Sequence, residues 1–371
     1  MWLEKIQIEG VRNLEDVQCV FDKNVNYIFG NNGAGKTSIL EAIHFLAVGR
    51  SFRTNRDDEI MKFNAPFLKI SGSAHDQPPE TDENCEAEIR LDNGTKTAFL
   101  QHQKQEKLSS YLGWLPVVTI LLSDIDLVSG APQRRRNFID LAISKINKNY
   151  LRNLIEYRQV LLQRNKLLQE KAEQALYEVW ELALAKYGNE IYLERQKIVP
   201  MLITEAQRFY TVFMSNRQIV FEYRTDLDNY EDKTTNFQEK LLNLLKINRA
   251  KEQELGYTII GPHRDDISIK EQALPVRKFG SEGEQRLAAL SLKMAEAELL
   301  AKNKRRPIFL LDEVASELDT TNTKKLFDLI QGQFFYATAK GSFDSPIIKT
   351  IRNGKIFYVE SGKIKKIETF G

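Results

Sequence analysis

The sequence predicts an α/β fold in which a P-loop core with flanking antiparallel strands carries an inserted arm of packed helices. Three observations carry that prediction. A glycine-rich turn from Gly30 to Lys36 stands between an apolar strand pattern and a helical one. A second apolar run, Ile308 to Leu311, ends in Asp312-Glu313. Between them, from Ser123 to Gly256, the texture is mostly helical. The expected division is a head made of residues 1–122 and 257–371, with the arm at 123–256.

In chain order, Trp2 to Ile8 and Val17 to Phe21 alternate apolar and polar residues as edge-type strands do, and Val25 to Phe29 is the strand that feeds the glycine turn. In Gly30-Asn31-Asn32-Gly33-Ala34-Gly35-Lys36-Thr37-Ser38, the glycines let successive backbone N–H groups point inward at a polyphosphate. Lys36 reaches the β- and γ-phosphates, Thr37 offers its hydroxyl to Mg²⁺, and the helix from Ser38 to Val48 adds its positive end. The motif by itself specifies a nucleotide, with ATP and Mg²⁺ the expected pair. A basic loop with Arg50, Arg53 and Arg56 follows. Strand patterns return at Phe67 to Ser73, Cys85 to Leu91, Thr95 to Leu100 and Leu115 to Leu122, and Asp92-Asn93-Gly94 is a hairpin turn. His75 to Asn84 reads as a surface loop.

The arm carries Leu154, Leu161 and Leu168 seven apart, with Leu151, Ile155 and Leu162 beside them, and a second stripe at Ala172, Ala175, Leu176 and Val179. Pro200 is expected to break or kink it; Gln218 to Tyr223 is a short strand, and the last arm helix ends at Gly256. Strands are expected at Tyr257 to Ile260 and Ile267 to Lys270, and turns at Asn353-Gly354 and Ser361-Gly362.

Composition sets limits. At 371 residues there is length for two compact units, and a net charge of +2 means that any nucleic-acid affinity must come from a local patch. Cys19 and Cys85 are the only cysteines and lack metal-type spacing, which points to a reduced, cytoplasmic protein. With no leader pattern and no membrane-length apolar run, no membrane association is expected.

The run Ile308 to Glu313 reads as a Walker B strand: Asp312 holds the metal beside Thr37 and Glu313 polarises the attacking water as general base. Taken alone, the same residues also fit a strand followed by a solvated acidic turn; the pairing with the P-loop favours the metal reading. Before a periodic helix stands Ser281-Glu282-Gly283-Glu284-Gln285. Ser281 with Glu284 makes a capping box, and a well-capped helix is one complete reading. The other is a second γ-phosphate site at Ser281, Gly283 and Gln285, which implies a nucleotide shared between two subunits in an ATP-dependent homodimer, with Ser316 and Asp319 along the interface. From Arg134 to Lys171 cations outnumber acids, including Arg134, Arg135, Arg136, Arg152, Arg158 and Arg164. A solvated helix face and a phosphate-tracking surface for DNA both fit, and Arg50, Arg53 and Arg56 form a second such candidate.

The order P-loop, helical insertion, Ser-x-Gly-x-Gln, Walker B and Ser316-Glu317-Leu318-Asp319 resembles ABC-type ATPases of the SMC class. Further segments resemble the RecF family of recombination mediators: Gly10-Val11-Arg12-Asn13-Leu14, Gly49 to Thr54, Arg134 to Asp140, Tyr157 to Leu161 with Arg164-Asn165, and Gly261-Pro262-His263-Arg264-Asp265-Asp266. The resemblance implies an ABC/SMC-type head, an arm (lobe II) in place of a long coiled coil, slow ATP hydrolysis, binding to double-stranded and gapped DNA, and a place on the nucleoid. It also implies work with RecR and RecO to load RecA, and nucleotide contacts from Arg12 and Asn13, for which a plain strand-end pair is the alternative. The family pattern has Ser-Pro-x-Asp where this chain has Ser123-Asp124-Ile125-Asp126, and glutamines where it has Glu282 and Glu284; of a threonine run after the last central strand only Thr338 is present as a γ-phosphate sensor. Two other readings are a transporter-type ATPase subunit, which needs a membrane partner and a shorter P-loop-to-signature distance, and a non-hydrolysing ATP-gated scaffold.

Overall fold

Val25–Phe29 is buried along its whole length, as a strand must be when it is flanked in a sheet and covered on its faces. The computed structural model describes residues 1–76, 84–215, 217–225, 236–302, 306–339 and 353–370; residues 77–83 of the expected surface loop lie outside them. Cα packing separates two units, Met1–Asp124 with Glu296–Gly371, and Ile125–Ala295. Residues 257–295, expected with the head, therefore pack within the second unit.

The first unit begins with β1 (Trp2–Glu9), β2 (Val17–Val20), β3 (Val25–Phe29), α1 (Lys36–Val48), β4 (Phe67–His75), β5 (Asn84–Asp92), β6 (Thr95–Leu100), β7 (Gln103–Lys104), α2 (Leu108–Tyr111) and β8 (Val117–Leu121). The second unit holds α3 (Asp126–Ser129), α4 (Pro132–Ile146), α5 (Lys148–Glu170), α6 (Gln174–Phe213), β9 (Ile219–Arg224), α7 (Phe237–Leu255), β10 (Asp266–Glu271), β11 (Leu274–Pro275) and α8 (Val276–Phe279), and α9 (Glu282–Lys302) crosses the boundary. The first unit resumes with β12 (Ile308–Asp312), α10 (Thr320–Leu329), β13 (Phe334–Thr338), β14 (Gly354–Glu360) and β15 (Lys363–Phe370).

Among the described residues the core sheet runs β15-β14-β3-β13-β12-β8, parallel except for the last hairpin. Its register sets Thr338 beside Phe29 and Ala337 beside Asp312, so the ends of β3, β13 and β12 lie together. Functional groups placed after those ends gather at one edge. An antiparallel sheet, β2-β1-β4-β5-β6-β7, makes up the flanking layer, with Asn93 (φ 48°) and Gly94 (φ 73°) in its predicted hairpin turn. His44 on α1 is buried and contacts Thr119 Oγ1 through Nδ1 at 2.8 Å.

In the second unit three expectations give way. Helix α6 runs unbroken through Pro200 for 40 residues, so of the break or kink expected there the break does not occur; the buried stripe of Leu184, Ile191, Val199, Leu202 and Phe209 outweighs the roughly 3 kcal/mol that an interior proline costs. The stripe at Ala175, Leu176 and Val179 faces outward, because α6 buries Tyr177, Glu181 and Leu184 instead. Tyr257 to Ile260 is not a strand: the Thr258 N–H donates to Asn165 Oδ1 at 2.9 Å and the Ile259 N–H to Glu252 Oε1 at 2.8 Å, so side chains take the place of a ladder.

Candidate functional site

The first unit assembles the cradle as its sequence directs. Gly35 caps α1 at φ +113°, a left-handed position where a side chain is strained, and a Cβ on Gly30 would lie 2.3 Å from the Val359 carbonyl oxygen. Lys36, almost wholly buried, donates from Nζ to the carbonyls of Gly30 at 2.9 Å and Asn31 at 3.2 Å, with Glu313 Oε1 at 3.4 Å. Thr37 Oγ1 lies 3.1 and 3.0 Å from the two oxygens of Asp312. Burial pushes the Asp312 carboxyl above its ordinary range; the Thr37 hydrogen bond and the Lys36 and Arg53 charges oppose that, while Glu313 adds to it. A hydroxyl and a carboxylate are hard oxygen donors suited to a small divalent cation. The described residues contain no cluster of three or more His, Cys, Asp or Glu able to hold a metal.

Glu313 sits at φ 53° with its N–H donating to Ala337 O at 2.9 Å. A left-handed glutamate costs on the order of 1–3 kcal/mol, and β13 holds it there. Ser316 Oγ donates back to the Glu313 carbonyl at 2.6 Å, and Asp319 caps α10 by accepting the Asn322 N–H at 2.8 Å; both remain exposed. Thr338 ends β13 and is buried.

Asn13 joins the cradle directly, donating to Gly33 O at 2.8 Å and accepting from Ser38 Oγ at 3.0 Å. The Arg12 guanidinium forms a two-pronged pair with Glu41 at 2.9 and 2.8 Å. Glu41, fully buried on α1, also accepts from Ser51 at 2.5 Å and lies 3.5 Å from Arg53. The sequence reading passed over Glu41, although an acid inside an otherwise apolar helix face was a visible signal. It placed Gly362 in a turn but missed its link to the P-loop: the Gly362 N–H donates to Ala34 O at 2.9 Å while its carbonyl accepts the Glu15 N–H at 3.0 Å, fastening the β14–β15 turn to the P-loop.

In the second unit Ser281 and Glu284 make the capping box, with Ser281 N–H to Glu284 Oε2 at 2.7 Å and Glu284 N–H to Ser281 Oγ at 3.3 Å. Ser281 and Gly283 are exposed, and the Gln285 amide donates to Gly280 O at 3.0 Å.

The arginine run divides. Arg135 is buried and grips Asp266 at 2.7 and 2.9 Å, so it leaves the candidate DNA surface: its charge is spent inside the unit. Arg164, fully buried, pairs with Glu181 at 3.0 Å and Glu252 at 2.6 Å. Arg136 is half-buried on Asp265 O at 3.0 Å, and Arg158 is part-exposed on Asp140 at 2.9 Å. Arg134 and Arg152 are exposed. In the first unit Arg50, Arg53 and Arg56 are exposed, but Arg53 neighbours Glu41, and Arg56 pairs with Asp58 at 2.6 Å. No helix among the described residues is long and apolar enough to cross a membrane.

Comparison with known proteins agrees with this geometry. The family described as RecF/RecN/SMC N terminal domain matches residues 2–340. The chain is 35% identical to the DNA replication and repair protein RecF of Ligilactobacillus salivarius, covering 100% of this chain and 99% of the relative. It is 35% identical to the protein of that name from Bacillus cytotoxicus over 98% of each. A solved structure of the recombination mediator protein RecF-ATP in the RecFOR pathway superposes with a TM-score of 0.87 at 29% identity, covering 100% of this chain and 98% of that one. An Smc head bound to the C-winged helix domain of ScpA shares the fold, with a TM-score of 0.57 at 18% identity and coverage of 100% and 98%. With the cradle, the carboxylate pair and the helical insertion all in place over the full length of its relatives, the chain belongs to the RecF family of SMC-like ATPases.

Proposed function

We propose that this chain is an ATP-dependent DNA-binding protein of replication and recombinational repair, whose ATP-bound homodimer clamps duplex DNA near single-strand gaps. The observation that carries the reading is the convergence of Lys36, Thr37, Asp312 and a backbone-strained Glu313 at the ends of β3 and β12. Lys36 would exchange its carbonyl partners for phosphate oxygens, and Thr37 with Asp312 would hold Mg²⁺, whose charge would offset that of the phosphates. Glu313 orients a water and takes its proton. Asn13 steadies the loop, and Thr338 stands by as γ-phosphate sensor. Each subunit gives its P-loop to one ATP and its Ser281, Gly283 and Gln285 to the other, with Ser316 and Asp319 along the join.

Closure is driven by the difference in nucleotide contacts between open and closed forms, and slow, DNA-stimulated hydrolysis reopens the dimer. Arg134 and Arg152 in the second unit, and Arg50 and Arg53 in the first, are separate candidates for tracking phosphates without base readout. The RecFOR setting of the relatives supports RecR and RecO as partners in loading RecA, and a cytoplasmic, nucleoid-associated site of action. Glu313→Gln tests the reading: it should keep ATP binding and hold the dimer on duplex DNA long after wild type has dissociated. Dissociation at the wild-type rate would sink hydrolysis as the release step.

A further inference from the structure

The signature of this chain places a carboxylate where a phosphate is to arrive. Glu284 lies in the first turn of α9, three residues from Ser281, and is almost wholly buried. An acid there suits the helix end, yet it repels an incoming phosphate unless its charge is met. Both of its oxygens are committed: Oε2 accepts the Ser281 N–H at 2.7 Å, and Oε1 takes Arg217 at 2.5 Å. Arg217 also touches Glu271 at 3.3 Å. Its place is set by the β9–β10 register, in which Ile219, two residues on, pairs with Glu271. Glu282, the other acid of the loop, is met by Arg286 one turn along at 2.5 Å.

Ser281 Oγ accepts from Glu284 N–H, which leaves its own hydrogen free to donate. The Gln285 side chain fixes the approach to Ser281 from the other side, through the Gly280 and Val276 carbonyls. The hydroxyl donor is thus aimed by a capping box whose negative member is neutralised from outside the loop.

We propose that Arg217 is a positioning residue for the ATP-driven dimer: by neutralising Glu284 it keeps the Ser281 loop open to the γ-phosphate presented by a second subunit. This rests on the shared-nucleotide reading above. Arg217 does not touch the nucleotide; it acts through Glu284. A residue that merely stapled β9 to α9 would change stability, and charge removal at Glu284 would not compensate for its loss.

The test is a double-mutant cycle in the full chain, comparing wild type, Arg217→Gln, Glu284→Gln and the double variant. ATP-driven dimerisation is measured by sedimentation, and binding to the monomer's own P-loop with a fluorescent ATP analogue at low protein concentration. Arg217→Gln should weaken dimerisation by about tenfold or more while monomer binding stays within about twofold. Adding Glu284→Gln, whose amide oxygen still accepts the Ser281 N–H without the charge, should restore dimerisation to within about threefold of wild type. Arg217→Lys should retain most of it, and serves as the probe if Arg217→Gln fails to fold. Unchanged dimerisation in Arg217→Gln, or a double variant as weak as the single, overturns the proposal. A wild type that stays monomeric with ATP overturns the shared-nucleotide reading and this inference with it.

Discussion

Lowering the pH should weaken the arm unit through one imidazole, His263. Its Nδ1 accepts from Tyr157 OH at 2.7 Å and its Nε2–H donates to Thr258 O at 3.0 Å, an arrangement that holds the ring neutral. Burial lowers the His263 pKa from 6.5 to about 4, and the charges of Arg264, Arg136 and Arg164 push the same way against the Thr258 hydrogen bond. A base with a depressed folded pKa stays neutral in the fold while the unfolded chain gains a proton. The contribution is therefore complete above pH 6.5 and is lost progressively as pH falls toward 4. At pH 5 the loss is about 2 kcal/mol at full effect, and nearer 1 kcal/mol if solvent reaches the ring edge. Urea denaturation followed by circular dichroism at pH 7 and pH 5 measures it. His263→Gln should be less stable at pH 7 but lose about 1–2 kcal/mol less than wild type on acidification. Equal losses in the two proteins would refute the assignment, since the remaining carboxylates are common to both.

Gly30→Ala should abolish nucleotide binding, because its methyl meets the Val359 backbone, which has no rotamer to yield; a fall of less than about tenfold for a fluorescent ATP analogue would contradict that geometry. Arg135→Ala should cost about 2–3 kcal/mol in chemical denaturation by leaving Asp266 without its partner. Arg152→Ala should leave stability within about 0.5 kcal/mol, weaken duplex binding and lower the salt slope by about one. If Arg135→Ala is as stable as wild type and only DNA binding falls, the division of the arginine run drawn from burial is wrong.

The parts of the site legible in the sequence were those built from neighbours in the chain. Lys36 and Thr37 follow their glycines directly, and Asp312 and Glu313 end one apolar strand, so the local pattern carried their geometry. The same holds for Ser281 with Glu284, for Asn93-Gly94, and for the helix ending at Gly256. What escaped was non-local. Glu41 became a hub only when α1, the Arg12 turn and the Arg53 loop met. Gly362 lies more than three hundred residues from the P-loop carbonyl it binds. Charge in the arm was misread at Arg135 and Arg164 for a related reason: a run of arginines looks alike whether it faces solvent or carboxylates. Arg195, which pairs with Asp140 and Asp265 at 2.7 Å each, shows that the arm core holds its own ion network. Periodicity also erred at Ala175, Leu176 and Val179, where tertiary packing chose the face through Tyr177 and Glu181.

The central claim is that ATP bound at Lys36 joins two copies of this chain around DNA. Sedimentation of wild type and Lys36→Met with ATP or ADP, with and without a short duplex across a range of salt, tests it most directly. The account predicts that only wild type with ATP forms a dimer, and that this dimer binds duplex more tightly as salt falls. A wild type that stays monomeric with ATP and ignores the duplex at low salt would contradict it.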